Sequence, residues 1–152
     1  MSIDKKDQEL LAHLQANARS SIAQLANKVN LSDTPCLRRI KKLESTGVIS
    51  GYHATIEPKR IGLNVLVYAF VRLNQNSVTA ANAFEEQVEK LQHVQECAVV
   101  SGSYDYLLKV VATDLEAYEH FVKYKLGSID YIANIESTVV LKQTFNKKQL
   151  PL

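Results

Sequence analysis

No stretch of this 152-residue chain is both apolar and long enough to span a bilayer, and the opening MSIDKKDQEL lacks a hydrophobic signal core. Membrane insertion and export are therefore not expected. Cysteine is scarce: Cys36 and Cys97 form no visible framework, and neither has a second Cys or a His at zinc-ligand spacing. Cys36 reads as a small core residue, no metal site is expected, and the expected compartment is the reducing cytoplasm. Catalytic signatures are missing too. His13, His53, His93 and His120 are scattered without a Cys, Asp or Ser partner at a recognisable spacing. There is no G-x-S-x-G, P-loop or dinucleotide fingerprint, so neither enzyme chemistry nor a cofactor is expected.

What is present is ordinary in bulk and uneven in detail. A hydrophobic fraction of 46% with 22% charge is typical of a globular protein, and the length allows one large domain or two small ones. The net charge of +2 conceals an asymmetry. Residues 1–60 hold ten Lys and Arg against six Asp and Glu, giving +4, whereas residues 61–152 hold eight against ten, giving −2. A basic head on a mildly acidic body points to nucleic acid at one end only.

The basic end centres on LSDTPCLRRIKKLESTGVISGY, Leu31–Tyr52. Ser32 is placed to cap a helix, Pro35 falls in its first turn where a missing N–H costs nothing, and Gly47 supplies a left-handed stop. At 100° per residue, Cys36, Ile40 and Leu43 share one narrow buried sector. Thr34, Arg38, Lys41, Lys42 and Ser45 gather opposite, with Leu37 and Arg39 at the borders. A face of cations and hydroxyls suits a helix laid in a major groove, although alone it would fit a solvated surface equally well.

What precedes it decides between the two. Asp4 can cap a first helix, with Asp7 favourably placed for its dipole and Leu10, Leu11, Leu14 and Ala18 as its buried stripe. Ser21 and Gln24 form a capping box ahead of Ile22, Leu25, Ala26 and Val29, which follow helical spacing. Only Asn30 and Leu31 separate this second helix from the third. Three short helices, the last two joined by a tight turn, read as a helix-turn-helix module with a winged-helix-like continuation, because VISGYHATI alternates like a strand. The expected organisation is a DNA-binding domain over residues 1–56, a linker at 57–62 marked by Pro58 and Gly62, and a second domain over 63–152.

In that second domain the period changes. NVLVYAFVRL, ECAVVSG, DYLLKVVAT and STVVLKQTF read as strands. Helices fall between them: one over 79–91 with Phe84, Val88 and Leu91 inward, and one capped by Asp114 with Leu115, Tyr118, Phe121, Val122 and Leu126 inward and Gly127 at its end. The β-α-β-β-α-β order is ferredoxin-like, so the whole chain is α+β, with both helices on one face of an antiparallel sheet. The other face carries Val, Leu, Tyr and Phe and needs cover, so homo-oligomerisation is expected.

Taken together, the chain resembles the leucine-responsive regulatory protein/asparagine regulator (Lrp/AsnC) family of transcription factors over essentially its whole length. In the head the resemblance rests on Asp4-x-x-Asp7, Leu31-Ser32, Thr34-Pro35-Cys36, Arg39, Leu43-Glu44, Gly47-Val48-Ile49 and Gly51-Tyr52. In the second domain it rests on Gly102-Ser103-Tyr104-Asp105-Tyr106-Leu107-Leu108. It implies a head that binds double-stranded DNA and a sensor domain that makes homodimers, often assembled into octamers. It also implies an amino-acid effector, bound where sensor domains meet, that changes assembly or operator affinity.

Site residues follow from both arguments. On DNA, Thr34 and Pro35 sit with Ser32 at the leading end of the third helix; Arg38 reads or positions, and Lys41 and Lys42 take phosphate. Arg39 matches the family arginine but lies at the border, where it can brace the head instead. Ser20 and Ser21 can donate to phosphate, with capping the rival role of Ser21. Gly102, Ser103, Tyr104 and Asp105 match the effector loop: backbone N–H groups can take a carboxylate, and Asp105 an ammonium group. A plain β-turn would use the same residue types. Ser137 and Thr138 are weaker candidates for the pocket wall. Three rivals stand beside this reading. One is an architectural DNA binder without a ligand. Another is a sirohaem-decarboxylase-like enzyme of similar architecture, which should have lost the basic helix. The third is an RNA-recognition module, whose central-strand motif DYLLKVVA does not supply.

Overall fold

A computed structural model describes residues 3–152, which divide into two compact units: residues 3–55 together with Thr144–Leu152, and Ile56–Gln143.

The first unit is built on three helices whose ends are fixed by local chemistry. α1 (Lys5–Ala16) starts at a reciprocal capping box, in which Asp4 accepts from the Asp7 N–H and Asp7 from the Asp4 N–H. α2 (Ile22–Lys28) starts at the Ser21/Gln24 box. Its end is closed by Asn30, held at φ 53°: the Asn30 N–H donates to Asn27 and the Leu31 N–H to Ala26. This is the Schellman arrangement, with asparagine where glycine usually stands. Such a closure needs few residues, so α3 (Asp33–Ser45) begins at once, making the tight turn of a helix-turn-helix. Gly47 terminates α3 at φ 73°, its N–H donating to Glu44 while that of Ile49 donates to Leu43. Leu10, Leu14, Leu25, Ala26, Val29, Cys36 and Ile40 form the shared core.

Three expectations for this unit are corrected. Ala18 is exposed, because Asn17 takes an extended conformation and ends α1 before the stripe reaches it. Ser32 occupies the cap position of α3, but its hydroxyl makes no capping bond. VISGYHATI forms no strand: the four-stranded sheet among the described residues lies wholly in the second unit, and an extended segment without ladder partners is not a strand. Tyr52 in this stretch instead donates a 2.8 Å bond to Glu44; burial, then that bond, pushes its hydroxyl up to about 12. Residues 144–152 return to this unit. The Gln15 amide donates to the Leu150 carbonyl at 3.2 Å and accepts from its N–H at 2.6 Å.

The second unit begins with a 3-10 turn at Pro58–Ile61, closed by Gly62 at φ 84°. Its elements are β1 (Val65–Leu73), α4 (Val78–Glu89), β2 (Val94–Val99), β3 (Tyr106–Ala112), α5 (Leu115–Tyr124) and β4 (Ile132–Val139). The sheet is antiparallel throughout, in the order β2-β3-β1-β4. The two faces separate by alternation. Val67, Ala69, Val71, Tyr106, Leu108 and Val110 pack with Phe84 and Val88 of α4 and Tyr118 and Phe121 of α5. Leu66, Tyr68, Phe70, Leu107 and Val111 therefore lie on the other face, which no helix among the described residues covers.

The final strand is displaced from its expected position at STVVLKQTF. It runs instead over Ile132–Val139, because β1 sets its length: Val139 pairs with Val67, the Val140 N–H donates to Leu66, and β1 ends just beyond at Val65. Leu141 and Phe145 are left 97% and 76% exposed. α5 is capped by Asp114 as expected, yet Leu115 lies outward, and the helix ends at Tyr124, before Gly127, which sits inside a 3-10 turn at Leu126–Ser128. No helix among the described residues is long and apolar enough to cross a membrane.

Candidate nucleic-acid interface and effector loop

On α3 the buried stripe is Cys36, Ile40 and Leu43, so Thr34, Arg38, Lys41 and Lys42 are turned out and exposed. Pro35 is half-buried beside the exposed Ser32. Arg38, Lys41 and Lys42 make no ion pair with any described residue. Arg39 differs from its neighbours. Its guanidinium lies 2.7 Å from Asp4 and 2.8 Å from Asp7, and both bonds hold its proton more tightly than usual. Asp7, only 5% exposed, is the buried charged residue that this pairing serves. Lys6 is likewise spent, on Glu9 and on the carbonyl of Val29 at the end of α2. Ser21 uses its hydroxyl as the α2 cap.

In the sensor unit, the turn between β2 and β3 brings Gly102, Ser103, Tyr104 and Asp105 into one loop. Gly102 has φ 123°, a conformation that side-chain-bearing residues rarely adopt, and a Cβ there would meet nothing within 4 Å. The loop is fastened at its far end. The Asp105 N–H donates to Val71, its carbonyl accepts from Val100, and its Oδ2 accepts from the Leu73 N–H at 2.7 Å. Asp105 Oδ1 has no bond among the described residues.

Tyr104 crosses the uncovered sheet face. Its ring lies 5.6 Å from that of Phe70, and its hydroxyl donates to Glu136 at 2.5 Å while accepting from Asn134. The bond to Glu136 raises its pKa above the ordinary tyrosine value. Glu136 and Asn134 precede Ser137, where the sequence pattern starts the last strand, so that pattern alone does not place them on the sheet. The alternation of Asn134, Glu136 and Thr138 is the signal that could have found them. Ser137 and Thr138 occupy opposite faces. Thr138 pairs with Tyr68 on the uncovered side, whereas the Ser137 hydroxyl shares a 2.7 Å bond with Tyr118 of α5, so it faces the helices and away from the loop's tyrosine. Among the described residues no group of His, Cys, Asp and Glu is arranged to hold a metal ion.

This arrangement, a basic outward helix in one unit and a glycine-hinged loop in the other, has close counterparts. The profile of the winged helix-turn-helix DNA-binding domain matches residues 3–50, and that of the Lrp/AsnC ligand binding domain matches residues 66–150. The proline dehydrogenase transcriptional activator of Rhodobacter capsulatus is 39% identical over 140 residues, covering 92% of this chain and 91% of that protein. The leucine-responsive regulatory protein of Escherichia coli K12 is 34% identical over 148 residues, covering 97% and 90%. Among solved structures, a transcriptional regulator from Neisseria meningitidis in complex with L-Met superposes with a TM-score of 0.94 at 34% identity, covering 99% of this chain and 97% of that one. With both profiles matched in order and relatives aligned along nearly their full length, the chain belongs to the Lrp/AsnC family of transcriptional regulators.

Proposed function

We propose that the protein regulates transcription by laying α3 in the major groove of double-stranded DNA, and that an amino acid held at the Gly102–Asp105 loop controls it. The observation that carries the DNA role is the division of labour along α3. Arg39 is consumed by Asp4 and Asp7, while Arg38, Lys41 and Lys42 stay exposed and unpaired among the described residues. Cations without an internal partner are available to phosphates and guanine edges. In this reading Arg38 reads or positions, Lys41 and Lys42 contact phosphate, and Thr34, Pro35 and Ser32 border the base edges.

The Neisseria relative carries L-Met, which supports an amino-acid effector here. Backbone N–H groups around Gly102 would take its carboxylate, and the free Asp105 Oδ1 its ammonium group. The uncovered face of the sheet supports a homodimer, with the half-buried Leu66, Tyr68, Phe70 and Leu107 removed from water between two copies. A dimer presents two α3 helices to half-sites one helical turn, or a multiple of it, apart. The chain is then a regulator rather than an enzyme.

Two measurements test this. A thermal-shift screen against the twenty amino acids is expected to give a hit with one or a few; a ligand at a hundredfold excess over its Kd stabilises by about 2.7 kcal/mol. Fluorescence anisotropy on duplexes selected by the protein from a random library is expected to lose roughly tenfold or more in affinity with Arg38→Ala, as one base or phosphate contact is worth about 1–3 kcal/mol. No shift with any amino acid removes the effector role, and undiminished binding by R38A removes that residue from the interface.

A further inference from the structure

We infer that the C-terminal strap, residues 144–152, is a second DNA-contacting element, in which Lys147 and Lys148 take backbone phosphates beside the helix-turn-helix. The inference rests on the DNA-binding reading above and adds a site to it. The ligand-binding profile runs through residue 150, so family resemblance alone would give this segment to the sensor. The fold gives it to the head.

The attachment is specific. Gln15, in the last turn of α1, uses both ends of its amide on Leu150, donating to the carbonyl at 3.2 Å and accepting from the N–H at 2.6 Å. A side-chain amide that satisfies both groups of one residue fixes that residue as a strand partner would. Lys147 and Lys148 lie three and two residues before the clasp, so no more than about 11 Å of chain separates them from it. On the other side of Gln15, the turn between α1 and α2 carries Arg19, exposed and without an ion pair among the described residues. The clasp thus tethers the segment that carries Lys147 and Lys148 to the end of α1, and Arg19 follows that helix by three residues. Lys147 and Lys148 are exposed, with the Lys147 ammonium 5.9 Å from the centroid of the Phe145 ring.

Charge makes the placement informative. Residues 1–55 carry eight Lys and Arg against five Asp and Glu, a net of +3; with residues 144–152 the unit reaches +5. Residues 56–143 carry eight against eleven, a net of −3. The two lysines are therefore held on the unit that repels them, not on the one that would attract them. Like charge gathered in this way opposes folding unless a polyanion is met, and duplex DNA is the polyanion the head is built for. The strap's contacts should then be with phosphate and independent of sequence.

The test is the salt dependence of binding to a duplex selected from a random library by the full-length protein. Each phosphate contact adds about 0.9 to the slope of log K against log salt, so Lys147→Ala/Lys148→Ala is expected to lower the slope by about 1.8 for each head engaged. Gln15→Ala, which opens the clasp but keeps both lysines, is expected to lower it in the same direction by a smaller amount. Lys123→Ala/Lys125→Ala, an equal loss of charge from the sensor unit, is expected to leave the slope at the wild-type value, and circular dichroism checks that all variants fold. A wild-type slope in K147A/K148A overturns the inference while leaving the regulator reading in place, as does an equal fall in the sensor-unit control. Failure of the wild-type protein to select or bind any duplex overturns both.

Discussion

Arg39 and Asp7 are joined by a 2.8 Å ion pair that ties the third helix of the head to the first. Asp7 is almost wholly buried, so removing its partner leaves a charge with neither water nor a cation to satisfy it. Arg39→Ala is expected to destabilise the head by about 2 kcal/mol, within the range for a hydrogen bond to a charged group. The sensor sheet shares none of these contacts. Hydrogen exchange should therefore show faster opening of α1 and α3 with unchanged protection of β1 and β3. Uniform loss of protection in both units would contradict this division.

Acid should loosen the neighbouring contact, between Arg39 and Asp4. The Asp4 carboxyl is held below its ordinary 3.8, first by the Asp7 N–H and then by the Arg39 guanidinium. Because the folded pKa is depressed, the unfolded chain binds more protons as pH falls past 3.8. The stabilisation is complete above that pH and is lost as pH drops through the folded value. Asp4→Asn keeps an effective capping side chain but removes the charge. The variant should lose less stability than wild type between pH 6 and pH 3 in urea titrations followed by circular dichroism. Equal losses would mean that Asp4 does not report the transition.

The elements that local chemistry fixes were legible in sequence, and those fixed at a distance were not. Asp4 with Asp7, and Ser21 with Gln24, lie within one turn of each other, so both helix starts could be read directly. The stripe of Cys36, Ile40 and Leu43 needed only the helical period. The role of Arg39 was ambiguous because its partners lie 32 and 35 residues away, where no helical wheel reaches. STVVLKQTF holds the stronger β-branched run, yet β4 sits earlier in the chain because pairing with β1, not propensity, sets where a strand ends. That shift is what concealed Glu136 from the effector-loop reading and left open that Ser137 faces the helices.

The uncovered sheet face gives a prediction of assembly. Tyr68, Phe70 and Leu107 lie on it, away from the core that α4 and α5 complete. Phe70→Asp places a charge in the middle of this face without disturbing the buried one. Sedimentation is expected to show a shift toward monomer, with the sheet signal in circular dichroism retained. A variant that assembles like wild type would move the subunit interface elsewhere.

Asp105 is the sharpest test of the effector loop, because it has two separable duties. Its Oδ2 accepts from the Leu73 N–H at 2.7 Å and so fastens the loop to the end of β1. Its Oδ1 is the group proposed for the ligand's ammonium. Asp105→Ala would lose both, and a failed response would then report a displaced loop as readily as a lost contact. Asp105→Asn keeps a carbonyl oxygen for Leu73 and removes only the charge. Its unliganded midpoint should stay within a degree or two of wild type, since an exposed substitution that preserves its hydrogen bond is worth about 0.5 kcal/mol or less. Its response to the amino acid found in the thermal-shift screen should weaken by tenfold or more, as a charge-assisted bond is worth about 1.5–3 kcal/mol. A normal response from D105N would leave Asp105 as a fastening of the loop and pass the ammonium contact to another acid on the uncovered face, with Glu136 the first to examine.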